Sequence, residues 1–62
     1  MTARDIAIKE LEAAGYSFKR HGSNHDQYYN PNNRNTISVK RHKFTENTLR
    51  YIRREIKQGG RP

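Results

Sequence analysis

The chain has 62 residues, 31% of them hydrophobic, enough for one domain over residues 1–62 with a thin core. It has no cysteine, which excludes disulfide staples, cysteine-ligated zinc and thiol nucleophiles. No apolar run is long enough for a membrane span or a signal-peptide core, so the sequence reads as a soluble, cytoplasmic protein, and its net charge of +7 points to a polyanionic partner.

The charge is one-sided. The first 33 residues carry four basic and four acidic side chains, whereas residues 34–62 carry nine and two. The whole excess therefore falls on the last strand, the loop after it and the last helix. A phosphate-binding surface needs such a field. The bland alternative is a solvated face that only aids solubility.

Thr2 is a good N-cap, and Asp5 three residues later completes a capping box with Asp in the acidic place. Ala7, Ile8, Leu11 and Ala14 recur at helical spacing, and Gly15 is a natural left-handed stop, which predicts a helix over 3–14. Tyr16, Phe18 and Arg20 alternate with Ser17, Lys19 and His21. That period of two predicts a strand with Tyr16 and Phe18 facing the core. Gly22-Ser23-Asn24 is turn chemistry. The next strand runs from His25 to Asn30, with His25, Gln27 and Tyr29 on one face and Asp26 and Tyr28 on the other. Residues 30–35 form a loop, and Thr36–Lys40 alternates again with Ile37 and Val39 inward. Thr45 caps the last helix, with Phe44 and Leu49 placed as a hydrophobic staple. Leu49, Ile52 and Ile56 form its buried stripe, Arg50, Arg53, Arg54 and Lys57 face solvent, and residues 59–62 end it in a fraying tail. The expected order is α-β-β-β-α, an α+β fold. A three-stranded antiparallel sheet carries two helices on one face, in the layout of the double-stranded-RNA-binding domain, with the other face open to water or a ligand.

His25 is the candidate catalytic residue. A histidine just past a glycine turn is pinned through its backbone yet open to solvent, and histidine titrates near neutrality. Gly22, Ser23 and Asn24 form the turn that positions it. With Tyr28 inward, His25, Gln27 and Tyr29 point to the open face, where Lys19, His21, Ser38 and Lys40 could join them. A proton shuttle held against a phosphate backbone points to RNA cleavage. Metal-free hydrolysis needs a base for the 2′-hydroxyl, an acid for the 5′-oxygen and positive charge for the phosphorane. His21, Tyr29 or water could be the second proton group. Lys19, His21, Gln27, Tyr29, Lys40, Arg41, His42, Lys43, Arg50 and Arg54 are the candidate RNA contacts. Each has a plainer reading. His25 and His21 could be structural turn residues, Tyr29 a surface aromatic, and His42 a loop anchor. No metal site is expected, because a turn separates His21 from His25 and Asp26 points away. No Walker, Rossmann or zinc-finger spacing occurs.

Four stretches in order resemble the HicA family of toxin–antitoxin systems, small mRNA interferases. They are Leu11-Glu12-x-x-Gly15-Tyr16, Gly22-Ser23-Asn24-His25-Asp26-Gln27-Tyr28, Ile37-Ser38-Val39-Lys40-Arg41-His42 and Thr48-Leu49-x-x-Ile52, together covering about residues 4–56. The family's hallmark is a glycine-serine-histidine turn before an aromatic strand residue. Here Asn24 stands between Ser23 and His25, and the spacing from His25 to Tyr28 fits. The resemblance implies a double-stranded-RNA-binding-like fold and ribosome-independent mRNA cleavage with the catalytic role on His25. It also implies growth arrest, inhibition by a cognate HicB antitoxin, and no cofactor.

Two other classes compete with the ribonuclease toxin. One is a non-catalytic RNA-binding module on the same fold, in which His25 only contacts a phosphate or 2′-hydroxyl. The other is a DNA-binding regulator using the basic last helix, although no helix-turn-helix pair precedes that helix.

Overall fold

A computed structural model describes residues 1–59. Of the tail predicted at residues 59–62, residues 60–62 lie outside the described residues. The elements run α1 (Ala3–Ala13), β1 (Ser17–His21), β2 (His25–Asn30), β3 (Asn35–Lys40) and α2 (Glu46–Gln58), as the periodicities predict. The strands form one antiparallel sheet in the order β1-β2-β3.

Local chemistry sets the boundaries. The Thr2 hydroxyl accepts from the Asp5 N–H and the Thr2 N–H donates to the Asp5 carboxylate, both at 3.1 Å, so the expected capping box opens α1. Gly15 has φ +97°, and the Gly15 and Tyr16 N–H groups donate back to the Glu12 and Leu11 carbonyls at 3.1 and 2.9 Å. This Schellman closure ends the helix one residue early, at Ala13, and leaves Ala14 exposed rather than in the buried stripe. The β2–β3 loop closes on Asn side chains. The Asn30 and Asn33 carboxamide oxygens accept from the Asn32 and Asn35 N–H groups at 2.9 Å, and Arg34 takes the left-handed position with φ 59°. Thr45 caps α2.

The core is one cluster of Ala7 and Leu11 from α1, Tyr16, Tyr28, Ile37 and Val39 from the sheet region, and Leu49 and Ile52 from α2. Phe44 and Ile56 pack on its rim. Both helices thus cover the Tyr28/Ile37/Val39 face. The Glu10 carboxylate joins them by accepting from the Arg53 Nε and NH2 at 2.9 and 2.8 Å.

Strand β1 departs from simple alternation. Ser17 pairs with Tyr29 and Phe18 with Tyr28, but then Arg20 pairs with Gln27 and His21 with Asp26. Lys19 is an extra residue, a bulge that flips the parity of everything after it. Phe18 is 47% exposed rather than in the core. It lies on the sheet's edge strand, with its ring edge-on to Tyr28 at 5.9 Å and 4.8 Å from the His21 ring.

Candidate active site

The β1–β2 connection is the three-residue turn Gly22-Ser23-Asn24. The Gly22 N–H donates to the His25 carbonyl at 2.6 Å. A Cβ on Gly22 would stand 2.9 Å from that same oxygen, inside contact distance, so the turn requires glycine for close approach. Arg41, just past β3, holds the loop from behind. Its guanidinium donates to the Ser23 carbonyl at 2.6 Å and the His25 carbonyl at 3.4 Å, and its backbone N–H to the Asn24 carbonyl at 3.3 Å. The clamp engages the His25 backbone and leaves the imidazole out of it.

Asp26 anchors the clamp. It points inward as the period of two requires, and only 6% of it is exposed. A buried carboxylate is costly without partners, and this one has three. Arg4 donates to Oδ2 at 2.7 Å, Arg41 donates to Oδ1 at 2.9 Å, and His21 Nδ1 meets Oδ1 at 2.7 Å. Burial pushes the Asp26 carboxyl up, but the hydrogen bonds and charge of His21 and Arg41 outweigh it and hold it below the ordinary value of 3.8. Arg4 also donates through Nε to the Lys40 carbonyl at 2.9 Å. One carboxylate therefore ties α1, the His25 turn and the end of β3 together.

On the outer face His25 lies opposite Lys40. The half-buried His25 stands between two depressions. One, of about 370 Å³, is lined by His25, Ser38, Lys40 and the α2 residues Asn47, Thr48 and Tyr51. The other, of about 360 Å³, is lined by Asn24, His25, Lys40, His42 and Lys43. Beside them the Ser38 hydroxyl donates to the Gln27 carboxamide oxygen at 3.1 Å. Among the described residues no group of three His, Asp or Glu side chains is placed to hold a metal ion, and no helix is long and apolar enough to cross a membrane.

A family model described as the HicA toxin of bacterial toxin–antitoxin systems matches residues 4–60. The chain belongs to the HicA toxin family. No curated protein and no solved structure matches it. The family match spans every element that lines the two depressions, so the toxin role attaches to this domain.

The HicA chain brings His25, Gln27, Ser38 and Lys40 together on the outer face, with His42 and Lys43 beside His25 and Lys40 in the smaller depression. Lys19 and Tyr29 form a separate pair, with the ammonium 4.9 Å from the ring centroid. Tyr29 is four strand residues, about 13 Å, along β2 from His25. Two residues stand elsewhere than predicted. His21 does not share the open face, because the Lys19 bulge turns it onto Asp26. Arg41 is not a loose surface cation, because its guanidinium is occupied by Ser23, His25 and Asp26. Arg50 and Arg54 sit on exposed α2 positions outside both linings. Arg50 donates to the Asn47 side chain, and the Arg54 guanidinium lies 5.9 Å from the Tyr51 ring centroid.

Four residues of the candidate site carry no signal in the strand pattern: Asn47, Thr48 and Tyr51 in the larger depression, and Arg4 in the clamp. The first three share one flank of α2 by i, i+3 and i+4 spacing, which was readable. That this flank borders the outer face of β3 depends on tertiary packing. Arg4 could have been sought as a partner once Asp26 was assigned inward.

Proposed function

We propose that this chain is a metal-independent endoribonuclease that cuts mRNA, with His25 as general acid or base, and that a HicB-like antitoxin restrains it. One observation carries the reading. His25 is clamped through its backbone while its half-buried side chain lines two depressions beside Lys40, His42 and Lys43. That combination suits proton transfer at a phosphodiester. His25 takes the proton of the 2′-hydroxyl or returns one to the 5′-oxygen, and Lys40, directly across the ladder, offsets the charge of the phosphorane. His42 shares a depression with His25, which favours it as the second proton group over His21, held by Asp26, and over the more distant Tyr29. The carboxylate nearest in sequence, Asp26, is turned inward and saturated with cations. This donor set favours cleavage through the 2′-hydroxyl over divalent-metal chemistry. The basic second half of the chain supports RNA as the polyanion. An antitoxin docked over the outer face would mask His25.

The test is RNA cleavage in EDTA by the wild type and by His25→Ala. The variant is expected to stay folded and to lose about 10²-fold or more of the activity. Wild-type products should end in 2′,3′-cyclic phosphate or 3′-phosphate, and a 2′-deoxy substitution at the cut site should block cleavage. Products with 3′-hydroxyl ends, or normal cleavage by folded His25→Ala, would overturn the reading.

A further inference from the structure

We infer that the larger depression beside His25 seats one unpaired nucleobase stacked on Tyr51, so that the site selects single-stranded RNA. The inference rests on the ribonuclease reading and names the form of its substrate. Tyr51 is a large aromatic side chain left 42% exposed on α2, while Leu49 and Ile52 on the same helix are buried. It contributes nothing to the core cluster. Instead it lines a depression of about 370 Å³ with Asn47 and Thr48 on its own helix and Ser38, Lys40 and His25 on the sheet.

The lining matches the parts of a single nucleotide. An exposed aromatic ring offers a face for a base to stack on, and every base has such a face. Asn47, one turn before Tyr51, presents an amide to a base edge, whereas the Thr48 hydroxyl is engaged by Thr45 in the α2 capping box at 3.3–3.4 Å and serves only as wall. Arg50 already occupies the Asn47 side-chain oxygen, which leaves the amide nitrogen as a donor for a base acceptor. Lys40 supplies an ammonium for the phosphate, and His25 stands at the same wall, where the ribose of the seated nucleotide would lie. Arg54, beside the Tyr51 ring, is placed for the neighbouring phosphate. In a duplex the faces and pairing edges of the bases are hidden, so this set of groups can be satisfied only by an unpaired nucleotide.

The proposal is tested by binding in the non-cleaving His25→Ala background, by fluorescence anisotropy with a short single-stranded RNA and with a hairpin stem of the same sequence. The parent should prefer the single strand. Adding Tyr51→Ala should weaken single-strand binding about 5- to 100-fold, the loss expected for one base–aromatic stack. It should leave stem binding unchanged, and Tyr51→Phe should retain the single-strand affinity. A 2-aminopurine scanned along the strand should be quenched at one position, and only when the ring is present. Melting curves check that the variants fold. The inference is overturned if Tyr51→Ala binds the single strand like its parent, if it weakens strand and stem equally, or if the parent prefers the stem. Failure here is separable from failure of the ribonuclease reading. Tyr51-dependent binding by a wild type that cuts no RNA would sink only the catalytic assignment. Unchanged binding and cleavage by Tyr51→Ala would sink only the stacking pocket.

Discussion

Replacing Asp26 with asparagine tests the clamp behind His25. The change keeps the shape and removes the charge that Arg4, His21 and Arg41 share at 2.7, 2.7 and 2.9 Å. Breaking a buried ion pair costs about 3–5 kcal/mol. The Arg4 and Arg41 side chains keep 26% and 27% exposure, so water recovers part of this, and a cost of about 3 kcal/mol is the working figure. A domain of this length has roughly 3–9 kcal/mol in total, so Asp26→Asn removes a third or more of it. With an unfolding entropy of about 0.13 kcal/mol/K for a chain this size, the melting temperature should fall by about 20 °C at pH 7. The effect must also depend on pH. The folded carboxyl titrates below its unfolded value of 3.8, so its contribution is complete above that value and is lost as the pH falls through the folded pKa. Circular-dichroism melts of both proteins should therefore differ widely at pH 7, keep that gap down to the unfolded value of 3.8, and converge only at lower pH, as the folded carboxyl is protonated. A drop of less than about 5 °C at pH 7, or a gap that persists under acid, would mean that the Asp26 charge does not brace the turn.

Gly22→Ala places a methyl group 2.9 Å from the His25 carbonyl. It should displace the turn and lower cleavage by about 10- to 100-fold through misplacement of His25, with a smaller effect on melting; unchanged kcat would show that the close approach does not matter. Neutralising Lys40, Lys43, Arg50 and Arg54 in turn should lower the salt slope of RNA binding by roughly 0.7–0.9 for each phosphate that the protein no longer neutralises; if all four together leave slope and affinity alone, the basic half is only a solvated surface. A HicB-like partner should raise the melting temperature by mass action and stop cleavage. A complex that still cuts RNA, or whose contacts avoid the His25 face, would rule out masking of the site.

The five elements were legible because each carries its own punctuation: Thr2 and Gly15 around α1, Gly22-Ser23-Asn24 and the Asn-rich loop around the strands, and Thr45 before α2. The inward and outward sides of β2 were legible for the same reason, since a period of two admits one solution once Tyr28 is placed in the core. Strand β1 was misread where one extra residue, Lys19, reverses the parity without any glycine or proline to announce it. Exposure of Phe18 was missed because alternation assigns a face and says nothing of whether a helix covers it. The site was half legible. His25, Lys40 and their neighbours follow from strand parity, whereas the α2 wall of the larger depression and the reach of Arg4 to Asp26 join residues far apart in the chain. Charge alone marks Arg41 as a candidate phosphate ligand and does not reveal that its guanidinium meets two carbonyls and a buried carboxylate.

The bond from Arg4 to Asp26 has a consequence for truncation. The turn that presents His25 is braced by a residue near the start of the chain and by Arg41 after the third strand, and its larger depression gains a wall only when Asn47, Thr48 and Tyr51 arrive. Nothing in the first forty residues assembles the centre by itself. Within those forty residues Arg4 and His21 reach Asp26, but the Arg41 side of the clamp and the α2 wall are still missing. The candidate centre is therefore a property of the complete fold, joined from both ends of the chain, and removing either end would dismantle it.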